Sequence, residues 1–281
     1  MPTASAPASS ANLGPGFDVL ALALELRCTV TATPADHWDV THIGPEQPLG
    51  GDELVLEAAQ RARGGEGPLR ITVDNHIPIG RGLGSSAAAA AAAAGAAWRT
   101  SGWEPHPRTI FELVAEMEAH PDNAAAAAFG GLVLCTPDGE VHNLDLHPTL
   151  VPIIAIPEHP LATTEARSFI PDAFPRAVVV RSLGRIAALV AGLTSGDGAL
   201  LAAAAEDELH EAPRNHHRPE VANLIDIARG AGAVHACWSG AGPSVLALVP
   251  EDLAAAVINA ISLELYNGVV RRFLVAKTGL I

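Results

Sequence analysis

The segment Pro78-Ile79-Gly80-Arg81-Gly82-Leu83-Gly84-Ser85-Ser86-Ala87 constrains the chain more than any other. It follows Leu69-Arg70-Ile71-Thr72-Val73, whose alternation reads as a strand, and leads into the strongly helix-forming tract Ala87 to Ala94. The order is therefore strand, glycine-rich loop, helix. Glycines let backbone N–H groups approach an oxyanion closely, and a helix N-terminus adds roughly half a positive charge. Such a turn is a phosphate cradle. Ser85 and Ser86 at the helix start can cap it or bind a metal ion. The loop is not of the Walker type, because GxxxxGK[ST] needs a lysine there, and Lys277 is the chain's only one.

A chain of 281 residues that is 49% hydrophobic can bury a core of one two-part unit or two small domains. Its formal charge of −14 argues against a nucleic-acid-binding surface, which would be basic. An anionic nucleotide must then be attracted locally, by loop amides, Mg²⁺ and a few arginines. Cys28, Cys135 and Cys237 are scattered and read as small core residues of a protein in a reducing, cytoplasmic compartment. No signal peptide is expected, and no membrane span. The stretch from Gly82 to Trp98 is short and mostly alanine, whereas a span needs about 20 strongly apolar residues.

Strands are expected over Leu20–Ala32, Gly130–Thr136, Leu150–Ile156 and Gly268–Ala276. Helices are expected over Glu53–Arg63, Arg108–Glu118, Ala177–Leu193, Gly198–Leu209, Pro219–Arg229 and Asp252–Ser262, with loop over Gly44–Asp52. The mixed order suggests α+β, with halves spanning 1–148 and 149–281.

Taken alone, the candidate chemical residues leave alternatives open. Ser86 fits an N-cap as well as a metal ligand, and Glu112, Glu116 and Glu118 each fit a solvated helix face. Asn12 and Asp18 flank Gly14-Pro15-Gly16 and fit a turn. Arg167 and Arg214 suit carboxylate clamps, since a guanidinium meets a carboxylate bidentately, but also a plain surface. The twelve histidines show no HExxH spacing and no GxSxG elbow occurs, which argues against zinc and serine-hydrolase chemistry.

Three glycine-bearing turns in order, at 8–18, 78–87 and Ser239-Gly240-Ala241-Gly242-Pro243-Ser244, resemble the GHMP small-molecule kinases. SSANLGPGFD, His120-Pro121-Asp122-Asn123 and Thr163-Thr164-Glu165-Ala166-Arg167 resemble the homoserine kinases among them. The resemblance runs from residue 8 to the last strand. It implies an N-terminal domain of the ribosomal-protein-S5 type, a C-terminal ferredoxin-like domain and a site between them. It also implies phosphorylation of the side-chain hydroxyl of L-homoserine by ATP and Mg²⁺, and a possible homodimer. Carried onto this chain, residues 78–87 would hold ATP, and Ser86 and Glu112 the Mg²⁺. Asn12, Asp18 and Asn123 would contact the amino acid, with Asp18 on its ammonium. Arg167, Arg214 and Thr163 would hold its carboxylate side, and Gly240 would help close the site. Sibling kinases often place an Asp base where this chain has Asn123, so proton passage directly to the phosphate is implied. Two departures stand out: Ala212-Pro213 inverts the order in the family's LHEPxR pattern, and Glu53 replaces a frequent Asn before Leu54-Val55, which leaves the purine contacts open. Action on another small alcohol, or non-catalytic sensing on the same scaffold, are the rival readings.

Overall fold

A computed structural model describes residues 1–48, 53–118 and 120–281. The first half runs β1 (Thr3–Ala11), β2 (Leu20–Pro34), β3 (Asp39–His42), α1 (Glu53–Arg63), β4 (Leu69–Asn75), α2 (Ser85–Thr100), α3 (Pro107–Glu118), α4 (Asp122–Phe129), β5 (Leu132–Cys135) and β6 (Val141–Leu144). The second runs β7 (Val151–Pro157), α5 (Thr163–Ser168), α6 (Arg176–Ser195), α7 (Gly198–Ala203), α8 (Glu211–His217), α9 (Pro219–Gly230), β8 (His235–Trp238), β9 (Val245–Val249), α10 (Ala254–Glu264) and β10 (Gly268–Arg272). The loop expected over 44–52 is present as far as 48; positions 49–52 lie outside the described residues.

Six strands of the first half form one sheet in the order β3-β4-β2-β5-β6, with β1 antiparallel to β2. The alanine tract is the spine of this half. Helix α2 packs on β1, β2, α1, α3 and α4, and only small side chains let it approach that many neighbours at once. Its residues from Ala87 to Ala97 are buried except Ala89, which borders the cleft described below. Strand β1 was not expected from sequence: TASAPASSA is poor in β-branched and aromatic residues. It forms because its small side chains fit beneath the alanines of α2 and α4.

The second sheet has the order β10-β7-β9-β8, all antiparallel. Its central strands are covered on both faces, which explains their unbroken apolar runs. Along β7, Ile153 and Ala155 join a core with α9 and α10, while Ile154 and Ile156 face the main core. Val245, Ala247 and Val249 of β9 alternate with Leu246 and Leu248 in the same way. Helix α6 is, among the described residues, the one helix long and apolar enough by length and composition to cross a membrane. It also carries Arg181 and Arg185, both paired with Glu208.

The expected closing strand over 268–276 is two things. Gly268–Arg272 pairs with β7, and the chain then returns to the first half. Val275 bridges Leu24, Ala276 N–H donates to Ala23, and Ser5 and Ile281 exchange both backbone bonds at 2.8 and 2.9 Å. The Arg27 guanidinium donates to the carbonyls of Thr278 and Gly279 at 3.0 Å each. Phe273 N–H still donates to the Pro152 carbonyl at 2.9 Å, and residues 274–281 then return to the N-terminal half, so the chain crosses between the two sheets a second time near its end.

Candidate active site

The glycine-rich loop sits where the two halves meet. Gly80, Gly82 and Gly84 all have left-handed backbone, with φ of 68°, 70° and 65°. At Gly82 a Cβ would overlap the Ser239 carbonyl and the Gly242 nitrogen, so the 239–244 turn can close on the loop only at a glycine. Ser239 Oγ donates to the Gly82 carbonyl at 2.8 Å, and Gly240 N–H to Ala11 at 3.0 Å, joining all three glycine turns. Helix α2 starts at Ser85 with no side-chain cap, leaving its first N–H groups directed at the cleft. The Ser85 hydroxyl is not free for a ligand: it accepts from Asn75 Nδ2 at 3.0 Å and donates to the Ile77 carbonyl at 3.2 Å. Arg81 turns away from the cleft and ties the loop to the end of β7, its Nε donating to the Pro157 carbonyl at 3.0 Å. Of the expected ATP-binding segment, residues 78–80 and 82–86 line a cleft of about 480 Å³, while Arg81 and the core-facing Ala87 do not.

Glu112 is a correction. It lies on the outer face of α3, its carboxylate half-exposed and paired with Arg108 at 2.7 Å, outside the cleft. The carboxylate that α3 brings to the start of α2 is Glu118, which lines the cleft and accepts a hydrogen bond from the Ser86 hydroxyl. Six residues along a helix turn the side chain by about 240°, so Glu112 and Glu118 cannot share a face. Burial pushes the Glu118 carboxyl above its ordinary value, against the Ser86 hydrogen bond, which pulls it down. Two hard oxygens side by side at an uncapped helix N-terminus are a donor set that fits Mg²⁺ with a nucleotide.

The opposite end of the cleft gathers the expected amino-acid contacts. Asn12, Leu13 and Asp18 have positive φ (70°, 54° and 55°), which folds the 12–18 turn inward. Asn12 holds both edges of that turn: its Nδ2 donates to the Gly240 carbonyl, and its Oδ1 accepts from Asp18 N–H, each at 3.0 Å. Arg167 meets Asp18 through both nitrogens, at 2.6 and 3.2 Å. Arg214 is buried; its Nη1 donates to the Gly240 carbonyl at 3.0 Å and to His210 Nδ1 at 2.8 Å. Burial, then the charge of Arg167, lowers its pKa to about 10, still cationic at neutral pH. Both guanidiniums lie over the Phe17 ring, that of Arg167 5.3 Å and that of Arg214 5.9 Å from its centre. Thr163 opens α5 on the same wall.

Between the two ends stands Asn123, in the first turn of α4, its Oδ1 accepting from Ser9 Oγ at 2.8 Å. Asp122 is buried at the wall of the cleft: its Oδ1 accepts the Asn123 N–H at 2.7 Å and lies 3.4 Å from His120 Nδ1. That contact raises the His120 pKa. Leu54, Val55, Val73 and Met117 form an apolar stretch of the same cleft, of a kind suited to a purine ring. Sequence reasoning left His210, Phe17 and Ser9 without roles; the last two stand inside the quoted SSANLGPGFD segment.

The family model for the GHMP kinases N terminal domain matches residues 53–131, and that for the GHMP kinases C terminal domain residues 187–267. A homoserine kinase of Thermus thermophilus is 38% identical over 284 residues, covering 99% of this chain and 97% of its own. One from Deinococcus radiodurans is 38% identical over 254 residues, covering 87% and 83%. The crystal structure of homoserine kinase from Cytophaga hutchinsonii superposes with a TM-score of 0.88 at 25% identity, over 99% of this chain and 96% of that one. A mevalonate kinase shares the fold at a TM-score of 0.74 and 14% identity. With both domain models in order and relatives matched along nearly the whole length, the chain belongs to the homoserine kinase family of the GHMP kinases.

Proposed function

We propose that this protein is a cytoplasmic enzyme that transfers the γ-phosphoryl group of ATP to the side-chain hydroxyl of L-homoserine, giving O-phospho-L-homoserine and ADP. The observation that carries the reading is one cleft with a phosphate cradle at α2 and groups of both charges opposite it. Asp18 is placed for an α-ammonium, and Arg214, Arg167 and Thr163 for an α-carboxylate. Mevalonate or a sugar would bring no ammonium group to Asp18, whose cationic partner in the cleft is Arg167.

The uncapped amides at the start of α2 and the 82–84 backbone hold the phosphates. Ser86 and Glu118 would hold the Mg²⁺, whose charge offsets that on the phosphates. Asn123, anchored by Ser9, orients the substrate hydroxyl between them. A bond forms from that oxygen to the γ-phosphorus as the bond to the β-phosphate oxygen breaks. Asn123 is no base, and Asp122 Oδ1 is held by the Asn123 N–H beside His120; in this reading the hydroxyl proton passes to an oxygen of the transferring phosphoryl group. Catalysis then rests on alignment and fixed dipoles.

Coupled ADP release with MgATP and a panel of alcohols tests this. L-homoserine should have the highest kcat/KM; a higher value for mevalonate, galactose or shikimate would overturn the assignment.

A further inference from the structure

His210 is fully buried at the start of α8 and has no place in the chemistry above. Its ring joins two parts of the cleft that come from opposite ends of the chain. Nε2 lies 2.7 Å from the Gly14 carbonyl, and Nδ1 lies 2.8 Å from Arg214 Nη1. A guanidinium can only donate, so Nδ1 accepts and Nε2 carries the proton that Gly14 receives. The ring is therefore neutral, consistent with a pKa that burial, then the Arg214 charge, lowers to about 4. Phe17, which precedes Asp18, stacks on the imidazole with centroids 5.0 Å apart. Behind it, Asp207 Oδ2 accepts the backbone N–H of His210 at 2.7 Å and of Glu211 at 3.0 Å, fixing where the ring enters.

We infer that His210 is a positioning residue that sets the spacing between the carboxylate-binding Arg214 and the 12–18 turn carrying Asp18, and so the fit of the cleft to an α-amino acid. The inference rests on the homoserine reading of this site. His210 touches neither substrate; it holds the two charged anchors in one register. Without it, Arg214 loses one of its two acceptors on Nη1, and the turn loses a buried donor at Gly14.

Two substitutions separate the arms. His210→Asn keeps an acceptor near the Nδ1 position but falls short of Gly14. His210→Gln keeps a donor near the Nε2 position but gives up the acceptor facing Arg214. Each lost hydrogen bond should raise the homoserine KM about tenfold, and His210→Phe, which keeps the stack on Phe17, should raise it further. The KM for ATP should stay within about twofold, because the phosphate cradle does not contact this ring. Nitrogen-15 spectra of the folded wild type should show the Nε2-protonated tautomer. Unchanged homoserine KM in the Asn and Gln variants overturns the inference. So does a fall of kcat with an equal rise of both KM values in step with lost thermal stability, or a protonated Nδ1 in the wild type. Arg214→Lys serves as the control for the site itself. If it leaves the homoserine KM untouched, the substrate reading fails; if it raises that KM while the His210 variants do not, only the positioning role fails.

Discussion

Replacing Glu118 by Gln should cripple phosphoryl transfer, while the same change at Glu112 should leave it intact. The two lie on one helix, yet their surroundings differ: Glu118 lines the cleft against Ser86, and Glu112 is half-exposed against Arg108. Glutamine keeps the size of the side chain and an oxygen that can accept from Ser86, so Glu118→Gln removes little but the negative charge. Unit opposite charges about 4 Å apart attract by about 4 kcal/mol at the effective dielectric constant found near protein surfaces. Removing one fixed electrostatic element from an active site costs about 10²–10³-fold in kcat. The two estimates agree at about three orders of magnitude. The assay is ADP release at saturating homoserine across a Mg²⁺ titration, with thermal melts to confirm folding. Glu118→Gln should lower kcat and shift half-saturation to higher Mg²⁺. Wild-type Mg²⁺ dependence in Glu118→Gln, or loss of activity in Glu112→Gln, would refute the argument.

Arg214→Lys should raise the homoserine KM with little change for ATP, because lysine loses the planar fork; one charged hydrogen bond is worth about 1.5–3 kcal/mol, or roughly 10–150-fold in kcat/KM. Gly82→Ala should destabilise the fold and abolish activity. The left-handed backbone alone costs about 1–3 kcal/mol, before the clash with the 239–242 turn, and chemical denaturation reads it. Burial pushes the Glu211 carboxyl from 4.5 up to about 7, even though it accepts Trp238 N–H at 2.7 Å. Between those values the folded chain binds more protons than the unfolded one, so its stability falls as pH rises from about 5 through 7. Glu211→Gln should flatten that fall, which amounts to roughly 3 kcal/mol; urea unfolding at pH 5 and pH 8 checks it.

The sequence was most legible where backbone chemistry is local. The strand–loop–helix at 69–100 follows from its alternation, its glycines and its alanines, and helices such as Glu53–Arg63 and Pro219–Gly230 show their periodicity. Asn12, Asp18, Asn123, Arg167 and Arg214 stand in recognisable segments, and the fold brings all five to one cleft. What was illegible depended on which neighbour covers a residue. Strand β1 and helix α4 consist largely of small residues that carry no periodic signal and are buried only because α2 lies over them. Choosing Glu118 over Glu112 needed the rotation of α3 against the start of α2. The bond between His210 and Gly14 spans 196 residues, a separation at which no local pattern announces a contact.

The pairing of Ser5 with Ile281 orders events during synthesis. The phosphate cradle, the first glycine turn and the six-stranded sheet are all encoded before residue 145, but the hydrogen bonds of Ala23, Arg27 and Gly131 to the 274–281 segment wait until that segment exists. A ribosome-bound chain halted after β6 therefore holds a sheet with part of its backbone unmatched. Cutting the chain at 148/149 leaves the same defect, because the N-terminal piece lacks its last partner and the C-terminal piece carries an unpaired tail.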